Sequence, residues 1–292
     1  MELELWAQLS AAISAVAVDF PRHKRDQHST DLIVRVHTWA ALHDRPINWA
    51  CKASSWTKRT RPQVLPDQST MSRRMQREDF EQFQQQVGRR MNGRCDPSLV
   101  KVIDGKPLEL PNHTTDRDAA WGRGVSRISV GYKIHTVFSG NPMPDAFAIT
   151  PLNVCEKQMA ARLIGRCGGG GYLLGDAHYD ASWLFDYCAH YDHQLVCPRA
   201  KPNTALGHHY VSPHRLRAIE MLEPPGRING FGARLYDQRT GIERDFSGLV
   251  CFGGGLTTLP PWIRRIWRVR PWVTAKLLIN AARIRLNRKK AG

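Results

Sequence analysis

The chain has no apolar run long enough to cross a lipid bilayer. A membrane-spanning helix needs about 20 predominantly apolar residues, whereas the apolar run near the start, AAISAVAV, is much shorter. Glu2 and Glu4 precede that run, where a secretory signal peptide would carry Lys or Arg. We therefore expect neither a secretory signal nor a membrane partner.

Paired cysteine spacing is also absent. The 7 cysteines are scattered along the chain, and no two of them form a Cys-x-x-Cys pair. Such a pattern provides neither a disulfide framework nor the usual ligands of a structural zinc ion. Reduced thiols are typical of a cytoplasmic protein, which is the localisation that we predict.

Acidic residues are scarce relative to basic ones. The 292 residues include 42 Lys and Arg against 26 Asp and Glu, which gives a formal net charge of +16 and a pI near 9.9. After Asp245 the sequence contains no acidic residue at all. This surplus favours a polyanionic partner, and nucleic acid is the commonest one.

Residues 1–92 contain tryptophan-bearing segments with helical character. Within them, Asp67 or Ser69 could cap a helix that carries Arg73 and Arg74. A short capped helix with several arginines, preceded by other helices, is what a helix-turn-helix DNA reader requires. A solvated basic helix explains the pattern equally well. We predict that 1–92 form a helical DNA-binding region, with Arg73 and Arg74 among its DNA contacts.

Beyond residue 93 the apolar pattern changes to that of strands. Three stretches rich in β-branched residues predict consecutive antiparallel strands: SLVKVIDGKPLEL, RISVGYKIHTVFSG and DAFAITPL. Helix and strand patterns then alternate through CEKQMAARLIGRC, GYLLGDAHYD, ASWLFDYCAHY and HQLVCPRAK. Asp180 is the expected N-cap of the second of these helices. We predict an α/β domain over 93–292, in which helices flank a mixed sheet and basic helices follow it.

Three acids stand out by position. Asp104 follows the apolar stretch VKVI and Asp176 follows YLLG, each beside a glycine. Glu243 shares one polar helical stripe with Tyr236 and Arg239, with the apolar residues of that helix turned the other way. Converging carboxylates repel one another unless cations lie among them, and Mg²⁺ or Mn²⁺ prefers oxygen ligands. Two such ions about 4 Å apart could brace the attacking and leaving oxygens of a phosphodiester displacement.

Each of these residues also has an ordinary explanation. Asp104 and the following glycine could form a turn, and Asp176 could accept hydrogen bonds from nearby backbone N–H groups. Glu243 could pair with Arg239 on an exposed helix. Lys133, on the strand beside Asp104, could contact DNA at the site or support the edge of the sheet. Spacing alone leaves these alternatives open.

Four separated segments resemble bacterial insertion-sequence transposases with a DDE domain of the RNase H-like fold. In order, they are VIDGK, HTTDRDAAWGRG leading into GYKIH, GDAHYDA, and YDQRTGIERDF. The resemblance covers roughly residues 95–285. It implies that Asp104, Asp176 and Glu243 bind a pair of Mg²⁺ or Mn²⁺ ions, and that Tyr236 and Arg239 contact DNA. The implied activity is cleavage at transposon ends and strand transfer, by a homodimer on double-stranded DNA.

One position departs from the family's signature, which reads Tyr-x2-Arg-x3-Glu-x6-Lys. The signature lysine should stand at 250, where the chain has Val250. Arg244 or a residue of the basic C-terminal segment could replace that lysine on DNA. The departure keeps an inactive or repurposed DNA-binding protein as an alternative. A nuclease of the same fold that cuts without strand transfer is the other alternative.

Overall fold

The computed structural model describes residues 2–93, 98–206, 210–223, 230–251, 256 and 258–291, without the side chains of 241–247, 250, 251 and 291. The chain divides into two compact units. The helical unit comprises Met1–Arg94, His113–Ala119 and Gly248–Gly292, and the sheet unit comprises Cys95–Asn112 and Ala120–Ser247. In this described part of the chain, no helix is long and apolar enough to span a membrane.

The helical unit is built around tryptophan side chains. Its α-helices are α1 (Glu2–Ala17), α2 (Thr30–Leu42), α3 (Ile47–Ala50), α4 (Gln68–Arg74), α5 (Glu78–Asn92) and the C-terminal α10 (Ile266–Ala291). Trp39 stacks on Trp56 with 4.6 Å between ring centroids, and Trp6 meets Trp39 edge-on at 4.8 Å. Asp67 caps α4 by accepting a hydrogen bond from the Thr70 N–H at 2.7 Å, as the sequence predicted.

Helix α10 belongs to this helical core. Its middle turns, including Trp272 and Leu278, are buried, and the helix packs against α1, α2 and α5. The sequence-based division grouped 93–292 into one domain, whereas the contacts in the structure group Gly248–Gly292 with the helical unit. The apolar residues of α10 are covered by the other helices of that unit. The functional boundary at residues 92 and 93 stays a prediction.

Among the residues that the structure describes, six strands form one mixed sheet. They are β1 (Val100–Leu110), β2 (Ala120–Arg123), β3 (Ile128–Phe138), β4 (Ala146–Pro151), β5 (Gly171–Leu174) and β6 (His193–Val196). The order is β2-β3-β1-β5-β6, and β4 also pairs with β3. β3 is antiparallel to β1 and β4, as predicted, whereas β5 is parallel to β1 and β6. The short β2 was not predicted.

Helices cover both faces of the sheet. They are α6 (Glu156–Ile164), α7 (Ser182–His190), α8 (Pro213–Leu222) and α9 (Phe231–Cys251). α6 and α7 pack on the face that contains Ile103, whereas Leu235 of α9 packs on the face that contains Val102 and Leu174. This division follows from the strand, whose successive side chains point to opposite faces. The predicted fold class, a mixed sheet flanked by helices with a helical N-terminal region, is confirmed.

One predicted helix cap is wrong. The N-cap of α7 is Ala181, which makes no side-chain cap. The Asp180 carboxylate instead accepts two hydrogen bonds from the Arg215 guanidinium of α8, at 2.6 and 2.8 Å. A two-point bond to a charged donor is stronger than a single bond to a backbone N–H, so Asp180 turns toward α8.

Candidate active site

Asp104 lies within β1 and not in a turn. It pairs with Thr136 of β3, and this antiparallel ladder continues to Leu110. The turn considered from the sequence is therefore excluded, and the expectation that a strand ends at Asp104 is corrected. What ends nearby is the parallel pairing, because β1 meets β5 only as far as Val102. The Asp104 Oδ1 accepts a hydrogen bond from the Gly105 N–H at 2.9 Å.

Asp176 lies at the matching distance beyond the end of the neighbouring strand β5. The parallel register pairs Val102 with Leu174, so Asp104 and Asp176 each follow the last pair by two residues. Neighbouring strands of a sheet lie about 4.8 Å apart. The two aspartates therefore lie beside one another where the parallel pairing stops, at the carboxyl end of β5, and the carboxyl ends of strands are where α/β sheets commonly place their ligands.

Local hydrogen bonds hold the Asp176 carboxylate. Its Oδ1 accepts from the His178 N–H at 2.9 Å, and its Oδ2 lies 3.1 Å from Nδ1 of the same residue. The bond to a backbone donor that the sequence suggested therefore exists. The Asp176 side chain nevertheless remains 33% exposed. The turn thus fixes the position of this carboxylate and leaves it accessible to a ligand.

The phenol of Tyr179 lies close to several charged groups. Burial raises the pKa of Tyr179, and the negative charges of Glu156, Asp104 and Asp176 raise it further, while Arg239 opposes them. The acids that raise the pKa of this hydroxyl are thus Asp104, Asp176 and one acid outside the predicted set, Glu156.

Glu156 is the acid that the sequence did not single out. It begins α6, and its Oε1 lies 2.5 Å from Nζ of Lys133. A Cβ atom added at Gly105 would lie 3.2 Å from its carboxyl carbon. Acids are common in the first turn of a helix, so no local signal distinguished Glu156. Lys133 is 6% exposed and donates to Glu156, which favours the alternative of support for the sheet, and its DNA contact stays a prediction.

The two predicted arginines of α4 differ in environment. Arg73 is exposed, whereas Arg74 is buried. The Arg74 guanidinium donates to Thr30 Oγ1 at 2.9 Å and pairs with Asp26 at 3.2 Å and Asp79 at 3.4 Å. A phosphate could reach Arg74 only by breaking this network. The DNA contacts of Arg73 and Arg74 both stay predictions, and the exposed Arg73 is the one that a phosphate could reach without breaking ion pairs.

Tyr236 and Arg239 face the sheet from α9. Tyr236 packs beside Leu235, and its hydroxyl donates a hydrogen bond to the Gly175 carbonyl at 3.0 Å. Nη1 of Arg239 donates to that hydroxyl at 3.3 Å. Burial raises the pKa of Tyr236, and the positive charge of Arg239 opposes the rise. The expectation that Tyr236 points away from the apolar residues of its helix is wrong, because its ring is half-buried among them.

The remaining predicted residues lie further along the same helix. Glu243, Arg244 and Val250 belong to α9, but their side chains are outside the described residues. Glu243 follows Tyr236 by seven residues, which places both on one helical stripe. The metal-binding role of Glu243 and the DNA-binding role of Arg244 stay predictions.

The two described aspartates suit a divalent cation. Carboxylate oxygens are the ligands that Mg²⁺ and Mn²⁺ prefer, and Mg²⁺ is usually held by one or two carboxylates together with water and substrate phosphate. Asp104 and Asp176 provide two carboxylates from rigid, adjacent elements. Among the side chains that the structure describes, no three His, Cys, Asp or Glu residues are grouped so that they could hold a metal ion.

Comparison with known proteins gives a match over most of the sheet unit. Residues 96–254, more than half of the chain, match the family model described as Transposase DDE domain. No curated protein sequence matches the chain. The structure is similar to that of a piggyBac transposase in a synaptic complex with hairpin DNA, at 9% identity and a TM-score of 0.43. This similarity covers 96% of the present chain and 71% of the other.

Proposed function

The chain belongs to the family of proteins with a transposase DDE domain, and on this premise we propose that it cleaves DNA at transposon ends and joins the freed strand to target DNA. One observation carries the proposal. Asp104 and Asp176 each stand two residues beyond the last paired residues of the adjacent parallel strands β1 and β5, within the segment that the family model matches. Two acids with unrelated local roles have no reason to match in this way.

Members of this family generally use divalent metal ions. We assign the metal ligands to Asp104, Asp176 and Glu243, and we expect two ions of Mg²⁺ or Mn²⁺. When bound, such a pair activates the attacking oxygen and stabilises the leaving one. The carboxylates hold their positions through the β1 ladder and the turn after β5, so little reorganisation is needed when DNA arrives.

DNA binding is assigned to the basic surface of the chain. Arg73 is exposed on the capped helix α4, and Arg244 lies one position after Glu243 in α9. Neutralisation of phosphates by such residues makes affinity fall steeply with salt. Because transposition requires two ends to be held together, we expect a homodimer on double-stranded DNA.

Val250 supports a second candidate, a DNA-binding protein without catalytic activity. The family's signature has lysine at this position, and its loss removes one cation from the DNA-binding set. Retention of all three acids favours the enzyme, because a chain that only binds DNA gains nothing from grouped negative charges.

The test is cleavage of supercoiled plasmid by purified protein with Mn²⁺, which relaxes the need for cognate ends. Wild type is compared with Glu243→Gln and with Glu220→Gln, which makes the same chemical change at an exposed position of α8. We expect nicking by wild type and Glu220→Gln, and none by Glu243→Gln. Joined strands among the products separate a transposase from a simple nuclease. Tight binding in a gel shift, with no cutting by any variant, would move the assignment to the inactive binder.

A further inference from the structure

The peptide that precedes Asp176 is held from three sides. The Gly175 N–H donates to the Val196 carbonyl of β6 at 3.1 Å, and the Gly175 carbonyl accepts from the Tyr236 hydroxyl at 3.0 Å. A Cβ atom added at Gly175 would lie 2.9 Å from the ring of Tyr179. The backbone on which Asp176 is carried is therefore fixed by a neighbouring strand, a helix and a buried ring.

The Tyr236 hydroxyl is the member of this set that comes from α9. A phenol can donate one hydrogen bond and accept others. Here it donates to Gly175 and accepts from Nη1 of Arg239 at 3.3 Å. The ring packs with Leu235 in the apolar cluster that also contains Leu174, the last residue of β5. Both the ring and the hydroxyl of Tyr236 therefore make contacts within the protein, on the side of α9 that faces the sheet.

This contact joins two elements that carry predicted metal ligands. Helix α9 carries Glu243, and the turn after β5 carries Asp176. The Tyr236 hydroxyl bonds to the residue immediately before Asp176. A change in its bond to Gly175 therefore alters the distance between the helix and the turn, and with it the spacing of the two acids.

We propose that Tyr236 is a positioning residue for Asp176, and that its hydroxyl acts on the carboxylate through the Gly175 carbonyl instead of contacting DNA. This role deepens the proposed function and rests on it for the assignment of Asp176 as a metal ligand. It differs from the DNA contact that the family resemblance implies for Tyr236.

The test is Tyr236→Phe, which removes the hydroxyl and keeps the ring. Tyr172→Phe is the matched control, because Tyr172 lies in the same apolar cluster and packs against Phe231 with 5.6 Å between ring centroids. Loss of a residue that orients a metal ligand typically costs 10–100-fold in metal affinity or activity. For Tyr236→Phe we expect a loss of about that size in Mn²⁺-dependent cleavage, and a similar rise in the Mn²⁺ concentration at half-maximal rate.

Two readouts do not depend on activity. The first is DNA affinity and its salt dependence in the absence of metal, which we expect Tyr236→Phe to leave unchanged. The second is hydrogen–deuterium exchange across residues 171–181, which we expect to be faster in Tyr236→Phe and unchanged in Tyr172→Phe. If neither wild type nor control cuts DNA, the proposed function fails while the exchange experiment still tests the contact.

Either of two results overturns the proposal. Weaker DNA binding with unchanged Mn²⁺ dependence would assign the hydroxyl to a phosphate, as the family resemblance implies. Unchanged exchange across residues 171–181 would show that the hydroxyl does not restrain the turn.

Discussion

Asp176 and Asp180 flank one short turn, Ala177–Tyr179, and their carboxylates differ in exposure and in hydrogen-bond partners. The Asp180 side chain is 4% exposed and accepts two hydrogen bonds from Arg215 and one from the Ala200 N–H. Asp176 is 33% exposed, and among the residues that the structure describes its carboxylate accepts hydrogen bonds only from His178. A paired and buried carboxylate fastens the turn to α8, whereas the accessible one is left for a ligand.

The pKa of Asp180 is lowered in this buried and paired environment. Burial alone would raise it, but the hydrogen bonds from Arg215 and from the Ala200 N–H outweigh burial and hold the pKa below its ordinary value. The contribution of this pair to stability is therefore present above the unfolded-state pKa of an aspartate, about 3.9, and is lost as pH falls through the lower folded-state value. Near neutral pH the pair of Asp180 and Arg215 therefore continues to hold the turn against α8.

The same contrast recurs in the helical unit, between adjacent residues. Arg74 is buried and paired with Asp26 and Asp79, whereas Arg73 points out of the same helix and is exposed. In each unit the two residues compared are of the same type, so residue type alone suggests a role in binding for both of them. Burial and pairing separate the side chain that holds the fold from the one that is accessible to a partner.

The largest effect is expected of Asp176→Asn, which should lose catalytic activity if the accessible carboxylate binds metal. Removing one group that stabilises transition-state charge typically costs about 10²–10³-fold, and we expect a metal ligand to cost at least as much. The thermal unfolding midpoint should stay at the wild-type value or rise, because a partly exposed negative charge near other acids is removed. Metal-dependent cleavage and a thermal melt measure the two quantities. Retained cleavage would show that Asp176 is not a ligand.

The opposite pattern is expected of Asp180→Ala. Removing one partner of a buried ion pair leaves the other charge unpaired and costs about 3–5 kcal/mol. We expect that loss in the free energy of unfolding, measured by urea titration. The double variant with Arg215→Ala should lose less than the sum of the two single variants, since the stranded charge is gone. Strictly additive losses would mean that the pair contributes little.

The smallest effect is expected of Arg73→Ala. Loss of one phosphate contact should weaken DNA binding uniformly across sequences and reduce the slope of log affinity against log salt by about 1. The free energy of unfolding of Arg73→Ala should remain that of wild type, whereas that of Arg74→Ala should be lower. Binding titrations at several salt concentrations provide the measurement. An unchanged slope for Arg73→Ala would remove α4 from the DNA-binding surface.

Most of the sheet unit could be predicted from local sequence. Apolar residues of strand character marked β1, β3 and β4, and a glycine marked the end of β5, because these signals act over a few residues. Asp104 and Asp176 were likewise identified from their place beside apolar strands. The short β2 offered too few residues for a pattern.

Long-range pairing was what the sequence could not reveal. Lys133 is held by Glu156, which lies 23 positions away, and Arg74 bonds to Thr30, which lies 44 positions away. Neither bond can be recognised from local composition, so the sequence did not show that these two cations are paired within the fold. The sheet-facing side of Tyr236 was missed for the same reason, since a Gly175 carbonyl 61 positions distant satisfies its hydroxyl.

The early end of the β1–β5 pairing has a consequence for association between molecules. Past Val102, no described strand pairs with β1 on its β5 side, so that edge of the strand resembles the border of a sheet. Such borders invite a second chain to add a strand, and lysine and proline discourage it. β1 carries both, as Lys106 and Pro107. The part of β1 beyond its pairing with β5, where Asp104 lies, thus carries residues that resist unwanted sheet extension.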